Sequence, residues 1–289
     1  MAELERLADL HMHTCFSDGN FTPEELTAHG KQHGLAAMAL TDHDTVEGCE
    51  RMGAACAKEG IEFIPGTELT AQEGGIEVHL LGYAVSLDNQ TLRTEISRFQ
   101  SVRQNRIHEM VARLNELNIP LRAEAVFALA NCRSPGRPHV ARALVQAGLC
   151  NSMDDAFERF LKVNRPAWVP KAKISAREGI ALIQQAGGVA VLAHPGLNKT
   201  DDVIEKLAAQ GLDGLECFHT KHTPAMSRFY QEIAQTHNLL VTGGSDCHGT
   251  NKGRPLIGSV KIPYVLVEKI KQRAAERKAL LATGDTAAN

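Results

Sequence analysis

The chain lacks an excess of charge of either sign. Its 289 residues hold 31 Lys and Arg against 34 Asp and Glu, so no global basic field marks a nucleic-acid binder and any phosphate recognition must be local. No apolar run approaches membrane length. The segment Met1-Ala2-Glu3-Leu4-Glu5-Arg6 has neither the basic nor the apolar region of a signal peptide, so a cytoplasmic protein is expected. Cysteine is sparse and unpatterned: Cys15, Cys49, Cys56, Cys132, Cys150, Cys217 and Cys247 are odd in number and irregularly spaced, against a disulfide framework or a zinc knuckle. No internal repeat or low-complexity linker is visible, and no heptad seam marks an oligomer. What is present is length enough for one barrel-sized domain or two smaller ones.

Short strands alternate with helical stretches at the start. Leu7 to Leu10 runs into His11. Pro23 to Gly34 reads as a helix with Thr22 as N-cap, Pro23 in the first position and Glu24 and Glu25 in the first turn. Leu35 to Leu40 is a buried strand ending at Thr41-Asp42-His43-Asp44, Val46 to Glu59 a helix, Ile61 to Ile64 a strand ending near Glu68, and Glu77 to Tyr83 a strand containing His79. This βα repetition predicts a parallel sheet or barrel. From Leu92 to Leu117 the apolar residues Ile96, Phe99, Ile107, Met110, Val111, Leu114 and Leu117 follow a helical period. Short helical patterns follow at Glu124 to Ala130, His139 to Ala147 and Met153 to Leu161, and residues 98–171 are read as a helical insertion between barrel segments 1–97 and 172–289. The βα pattern then resumes: helices at Ala176 to Ala186, Thr200 to Gln210 and Pro224 to His237, strands at Val189 to Ala193, Gly214 to Phe218 and Leu239 to Thr242, and a tail from Ala282 expected to fray.

Nine residues able to bind metal, His11, His13, Asp18, His43, Glu68, His79, His194, Asp246 and His248, sit at or just past the ends of short apolar runs. Imidazole and carboxylate without cysteine suit Mn, Fe or Zn. Nine ligands are too many for one ion and imply two or three, as in phosphate-ester hydrolysis. His11 and His13, at i and i+2 of an extended segment, point to one side. Taken singly, each residue could be a core histidine or a turn carboxylate. In a barrel, strand ends converge on one rim and the residues meet. Cys15 and Cys247 flank these segments and are read as packing beside them.

The blocks Asp9-Leu10-His11-Met12-His13-Thr14, Thr41-Asp42-His43-Asp44, Gly66-Thr67-Glu68, Val78-His79-Leu80, Ala193-His194-Pro195 and Gly244-Ser245-Asp246-Cys247-His248 resemble the polymerase and histidinol phosphatase (PHP) family. The insertion, with Gly136-Arg137-Pro138-His139 and Val169-Pro170-Lys171, is similar to the branch of nucleoside 3′,5′-bisphosphate phosphatases and 5′-to-3′ exoribonucleases. The resemblance implies an α/β fold, a distorted (β/α)7 TIM-like barrel with a helical insertion. It implies three divalent ions, Mn²⁺ before Fe or Zn, with His11, His13, Glu68 and Asp246 on the first, Glu68, His79 and His194 on the second, and Asp18, His43 and His248 on the third. Six positive charges less three carboxylates then leave about three to meet a phosphate and an attacking hydroxide.

The expected chemistry is hydrolysis of the phosphomonoester of a nucleoside 3′,5′-bisphosphate, extending to short RNA ends, by a hydroxide bridging two ions. His219 either contacts the phosphate, protonates the leaving group, or is a strand-end histidine without a role. Asp42 and Asp44 flank His43 and are expected to orient it. Arg103 and Arg106 share a polar helix face and, with Arg133, Ser134, Arg137, His139 and Lys171, are read as a clamp for a second phosphate. Trp168 either stacks on a base or packs the insertion. His29, His33, His108, His222 and His237 are read as surface residues. The partner is therefore a nucleotide or short RNA, with no membrane or protein partner evident. Histidinol phosphate is the rival substrate, and a non-catalytic metal-bearing binding module the rival of another class.

Overall fold

A computed structural model describes residues 6–171, 173–198, 201–251 and 253–284. The strands are β1 (Leu7–Asp9), β2 (Leu35–Leu40), β3 (Glu62–Glu73), β4 (Ile76–Tyr83), β5 (Ile174–Ser175), β6 (Val189–Leu192), β7 (Gly214–His219), β8 (Leu240–Gly244) and β9 (Ile262–Pro263). Seven of them make a nearly closed ring in the order β8-β7-β6-β4-β3-β2-β1, with β9 antiparallel on β1 and β5 beside β3. Beyond β1 the chain joins the segment after β8: Leu10 N–H donates to Gly243 O at 3.3 Å, His13 N–H to Cys247 O at 2.8 Å and Asp246 N–H to His11 O at 2.8 Å. This closure needs Gly244, where a Cβ would lie 2.3 Å from the backbone nitrogen of His11. The chain is thus an α/β barrel, as its sequence pattern predicts.

The sheet is not all parallel. β3 and β4 form a long antiparallel hairpin, and β4 is antiparallel to β6 as well. Gly74 and Gly75, at φ 56° and 83°, turn the chain back in the left-handed conformations that two-residue hairpin loops demand. The strand expected to end at Ile64 therefore continues to Glu73, placing Glu68 inside β3 and His79 near the start of β4.

The helices are α1 (Pro23–Gln32), α2 (Cys49–Glu59), α3 (Gln90–Glu116), α4 (Ala123–Ala130), α5 (Arg137–Gln146), α6 (Met153–Ala156), α7 (Ala176–Gln185), α8 (Pro195–Asn198), α9 (Asp201–Ala209), α10 (Pro224–Thr236) and α11 (Tyr264–Thr283). Thr22 and Glu25 close a capping box on α1, with Pro23 in its first turn. α2 starts at Cys49 rather than Val46, because residues 45–48 form a turn in which Thr45 Oγ1 accepts from Glu47 N–H. The helical pattern from Met153 to Leu161 divides into α6 and a π-helical turn, Phe157–Leu161. α11 was not expected, and it keeps Ala282 and Thr283 helical where fraying was foreseen; the tail from residue 285 lies outside the described residues.

α11 packs on β1, β2, β6 and β8 and covers one end of the ring. Its Val267, Ile270 and Ala274 join Ala8, Ala37, Leu81 and Val191 in one apolar cluster. α3 joins two cores: Leu92, Ile96 and Phe99 pack with barrel residues, whereas Ile107, Met110, Val111 and Leu114 pack with Val126, Val140, Leu144 and Leu161. The insertion expected from residue 98 thus begins within a continuous helix of 27 residues, about 40 Å long. Among the described residues no helix is long and apolar enough to cross a membrane.

Candidate metal centre

Glu68 stands at the middle of the open end of the ring. Its Oε2 lies 3.3 Å from His11 Nε2, 3.2 Å from His13 Nε2 and 3.2 Å from His43 Nδ1. Its Oε1 lies 2.7 Å from His79 Nδ1 and 3.1 Å from His194 Nε2. Asp246 Oδ1 is 3.2 Å from His13 Nε2 and 3.5 Å from His248 Nδ1, and Asp18 Oδ1 is 3.2 Å from His248 Nε2. Strand geometry sets these positions. His11 and His13 flank Met12, which turns to the opposite side and packs with Leu26 and Met38. His194 and Asp246 leave their strands at φ 28° and 53°, a backbone conformation costly for residues with side chains and concentrated at functional sites.

All nine predicted residues fall into four overlapping groups whose ligand atoms lie within 4.8 Å of one another: His13, Asp18, His43 and His248; His11, His13 and Asp246; His11, Glu68 and His194; His43, Glu68 and His79. The grouping differs from the family-based partition in two respects: His13 also reaches the Asp18 group, and His79 and His194 meet Glu68 in separate groups. Buried Nδ1 and Nε2 of His13, Nδ1 of His43 and Oδ1 of Asp18 have no hydrogen-bond partner. Unsatisfied buried donors and acceptors of this kind are expensive, and divalent cations fit them. Neither Cys15 nor Cys247 joins the groups, and all seven cysteines are free.

The electrostatics point the same way. Burial opposes charge on Glu68, Asp18 and Asp246, yet the surrounding imidazoles hold all three well below the usual carboxylate range. Burial likewise opposes the imidazolium, yet Asp246 and Glu68 push His13 up to about 10, and Glu68 and Glu77 push His79 up to about 9. The histidines hold protons where cations would stand, and ion uptake must displace them.

A second layer was only partly foreseen. Glu216 on β7, fully buried, takes His11 Nδ1 at 2.9 Å and the backbone N–H of His194 at 2.7 Å. Sequence reasoning missed it, although a lone carboxylate within Gly214-Leu215-Glu216-Cys217-Phe218 was a signal. Asp42 and Asp44 do not orient a ligand histidine. Asp42 accepts from Thr14 N–H and from the Thr14 and Ser17 hydroxyls, fixing the loop that carries Asp18. Asp44 accepts Arg103 Nε at 2.6 Å, Lys171 Nζ at 2.7 Å and Thr70 N–H at 3.1 Å. His219 Nε2 lies 3.5 Å from Asp246 Oδ2 with no hydrogen-bond partner, at the edge of the cluster.

Beside the ligands, a cavity of about 150 Å³ is walled by Asp18, His43 and His79 on one side and by Arg103, Arg106, Arg137 and Lys171 on the other. Arg103 and Arg106 are buried rather than presented on a polar helix face. The reason is that the 133–137 and 169–171 segments cover that face, with Arg103 Nη1 donating to Pro135 O and Arg106 Nε to Val169 O. Ser134 and His139 stand outside the cavity lining: Ser134 Oγ donates to His43 O at 2.5 Å, and His139 Nδ1 accepts from Gly136 N–H. Arg133 pairs with Glu47 and lines a separate cavity. Trp168 accepts from Arg113 through its carbonyl. His222, expected on the surface, has its ring 5.3 Å from that of His219.

The PHP domain family matches residues 9–163. The 5′-3′ exoribonuclease Rnm of Escherichia coli is 31% identical over 248 residues, 83% of this chain and 84% of that protein. The 3′,5′-nucleoside bisphosphate phosphatase of Chromobacterium violaceum is 31% identical over 260 residues, 86% of this chain and 90% of that protein. A solved structure from Bifidobacterium adolescentis, described as a metal-dependent phosphoesterase, superposes with a TM-score of 0.85 at 35% identity, covering 92% of this chain and 96% of that one.

Proposed function

Since the chain belongs to the PHP domain family and is a metal-dependent phosphoesterase, we propose that it removes the 3′-phosphate from nucleoside 3′,5′-bisphosphates, leaving a nucleoside 5′-phosphate. The observation that supports this is the small cationic cavity sharing Asp18, His43 and His79 with the ligand cluster. Of its charges, Arg103, Arg106, Arg137 and Lys171 stand against Asp44 and Glu77, four against two, so two positive charges remain for a phosphate dianion. The second phosphate then sits in this cavity while the scissile one meets the cluster. Histidinol phosphate has no second phosphate to offer these cations.

In this reading His11, His13, Glu68 and Asp246, then Glu68, His79 and His194, then Asp18, His43 and His248 would hold three divalent ions, Mn²⁺ first among candidates. When bound, such ions polarise phosphoryl oxygens and bring water to reactivity near neutral pH. Arg103, Arg106, Arg137 and Lys171 fix the 5′-phosphate and so aim the 3′-phosphate, which restricts the reacting geometry. Glu216 orients His11 and the backbone of His194. The oxygen of water bonds to phosphorus as the P–O3′ bond breaks, and a proton reaches O3′ from His219, whose Nε2 has no other partner. Stripping the metal with a chelator should abolish phosphate release from adenosine 3′,5′-bisphosphate, and added Mn²⁺ should restore it. Full activity in metal-free protein would overturn the reading.

A further inference from the structure

Arg142 has no role in that reaction, yet it stands close to it. One turn along α5 from Pro138, it lines a chamber of about 610 Å³ that also reaches Asp18 and His248. Pro138 and Phe157 line both this chamber and the small cationic cavity, so they form the wall between the two. Both spaces therefore open on one ligand group, from different sides. The small cavity suits a phosphate; the chamber is four times larger and lies within the range that ligand pockets occupy.

Arg142 makes no ion pair or hydrogen bond among the described residues, and its Nη2 is shielded from solvent. A shielded guanidinium nitrogen without a partner is costly and calls for an anion. A nucleoside 3′,5′-bisphosphate cannot supply one, because its two phosphates are matched by the cationic cavity and the ligand cluster. The next anion available is the phosphodiester that follows the scissile phosphate in a nucleotide chain. Phe157 and Met153 give the chamber apolar faces on which a base can stack. Ser152 and Asp154 at its edge are exposed, so a chain can continue into solvent.

Building on the proposed function, we infer that the chamber binds a single-stranded oligonucleotide 3′ of the scissile phosphate, with Arg142 on its backbone. The oxygen of water then bonds to the internucleotide phosphorus, the P–O3′ bond breaks and O3′ takes a proton. One nucleoside 5′-phosphate leaves, and the shortened chain carries a new 5′-phosphate that the four cations can hold in the next turnover.

The test compares a 5′-phosphorylated trinucleotide with adenosine 3′,5′-bisphosphate, using Mn²⁺-loaded wild type and Arg142→Gln. The ratio of kcat/KM for the trinucleotide to that for the bisphosphate should fall about tenfold or more in the variant, as expected for loss of a charge-assisted hydrogen bond. Both rates come from one preparation, so the ratio does not depend on how much of the variant folds. An equal fall for both substrates would place the first nucleoside beside Arg142 and overturn the inference, as would no fall for either. Wild type that dephosphorylates the bisphosphate but leaves the trinucleotide intact overturns the chamber and leaves the phosphatase reading standing. Wild type that acts on neither overturns both.

Discussion

Lys171 makes the second-phosphate cavity sensitive to pH. Its burial, with Arg103 beside it, disfavours the ammonium and lowers Lys171 to about 7, although Asp44 works in the opposite direction. The cation is present below that value and is lost as pH rises through it. KM for the bisphosphate should therefore climb about tenfold per pH unit above roughly 8, one proton being needed for binding, and Lys171→Arg, charged throughout, should flatten the rise. A wild-type KM unchanged between pH 6 and 9 would contradict this. Legibility at this scale followed chemistry. Histidine and carboxylate at the ends of apolar runs announce themselves, and all nine come together. Arg103 and Arg106 could be picked by type, but their burial depends on segments 30 and more residues away. Asp42 and Asp44 flank His43 in sequence and turn to other partners, so adjacency in the chain misled where Glu216, distant in the chain, holds His11.

Among the elements, α11 is anchored by a single carboxylate. Asp213, buried just before β7, accepts Arg277 at 2.7 and 2.8 Å, Arg273 at 3.1 Å, Gln184 at 3.2 Å and the backbone N–H of Ala190 at 2.9 Å. Asp213→Ala leaves two arginines and a strand N–H without their acceptor. Because those arginines are partly exposed, a loss of about 2 to 3 kcal/mol is expected rather than the full cost of breaking a buried pair, measured by urea unfolding. A loss below about 0.5 kcal/mol, typical of an unremarkable surface change, would show that the anchor contributes little. α1 was readable because its cap, its proline and its acidic first turn are local signals. α11 was not: its buried stripe is only Tyr264, Val267, Ile270 and Ala274, and exposed Val265, Leu280 and Leu281 blur the period. The β3–β4 hairpin escaped for another reason, since its turn is two glycines with no polar cluster around them and its strands continue apolar on both sides.

For the molecule as a whole, the barrel collects ligands from strands far apart in sequence, while the insertion brings cations to one edge of that collection. A formal net charge of −3 gives no general attraction for polyanions, so substrate choice rests on this local pairing of cations with the ligand cluster. The barrel was legible because strand and helix alternate in the sequence; its antiparallel members and the way residues 98–171 fold back over the rim were not, because both depend on long-range packing. The most direct test compares kcat/KM of the Mn²⁺-loaded protein for adenosine 3′,5′-bisphosphate with that for adenosine 3′-monophosphate, which lacks the 5′-phosphate. Two or more charge-assisted hydrogen bonds to that phosphate, together about 3 kcal/mol or more, predict a preference of about 100-fold or greater for the bisphosphate. Equal values for the two substrates would contradict the account, leaving the buried arginines without a part in substrate selection.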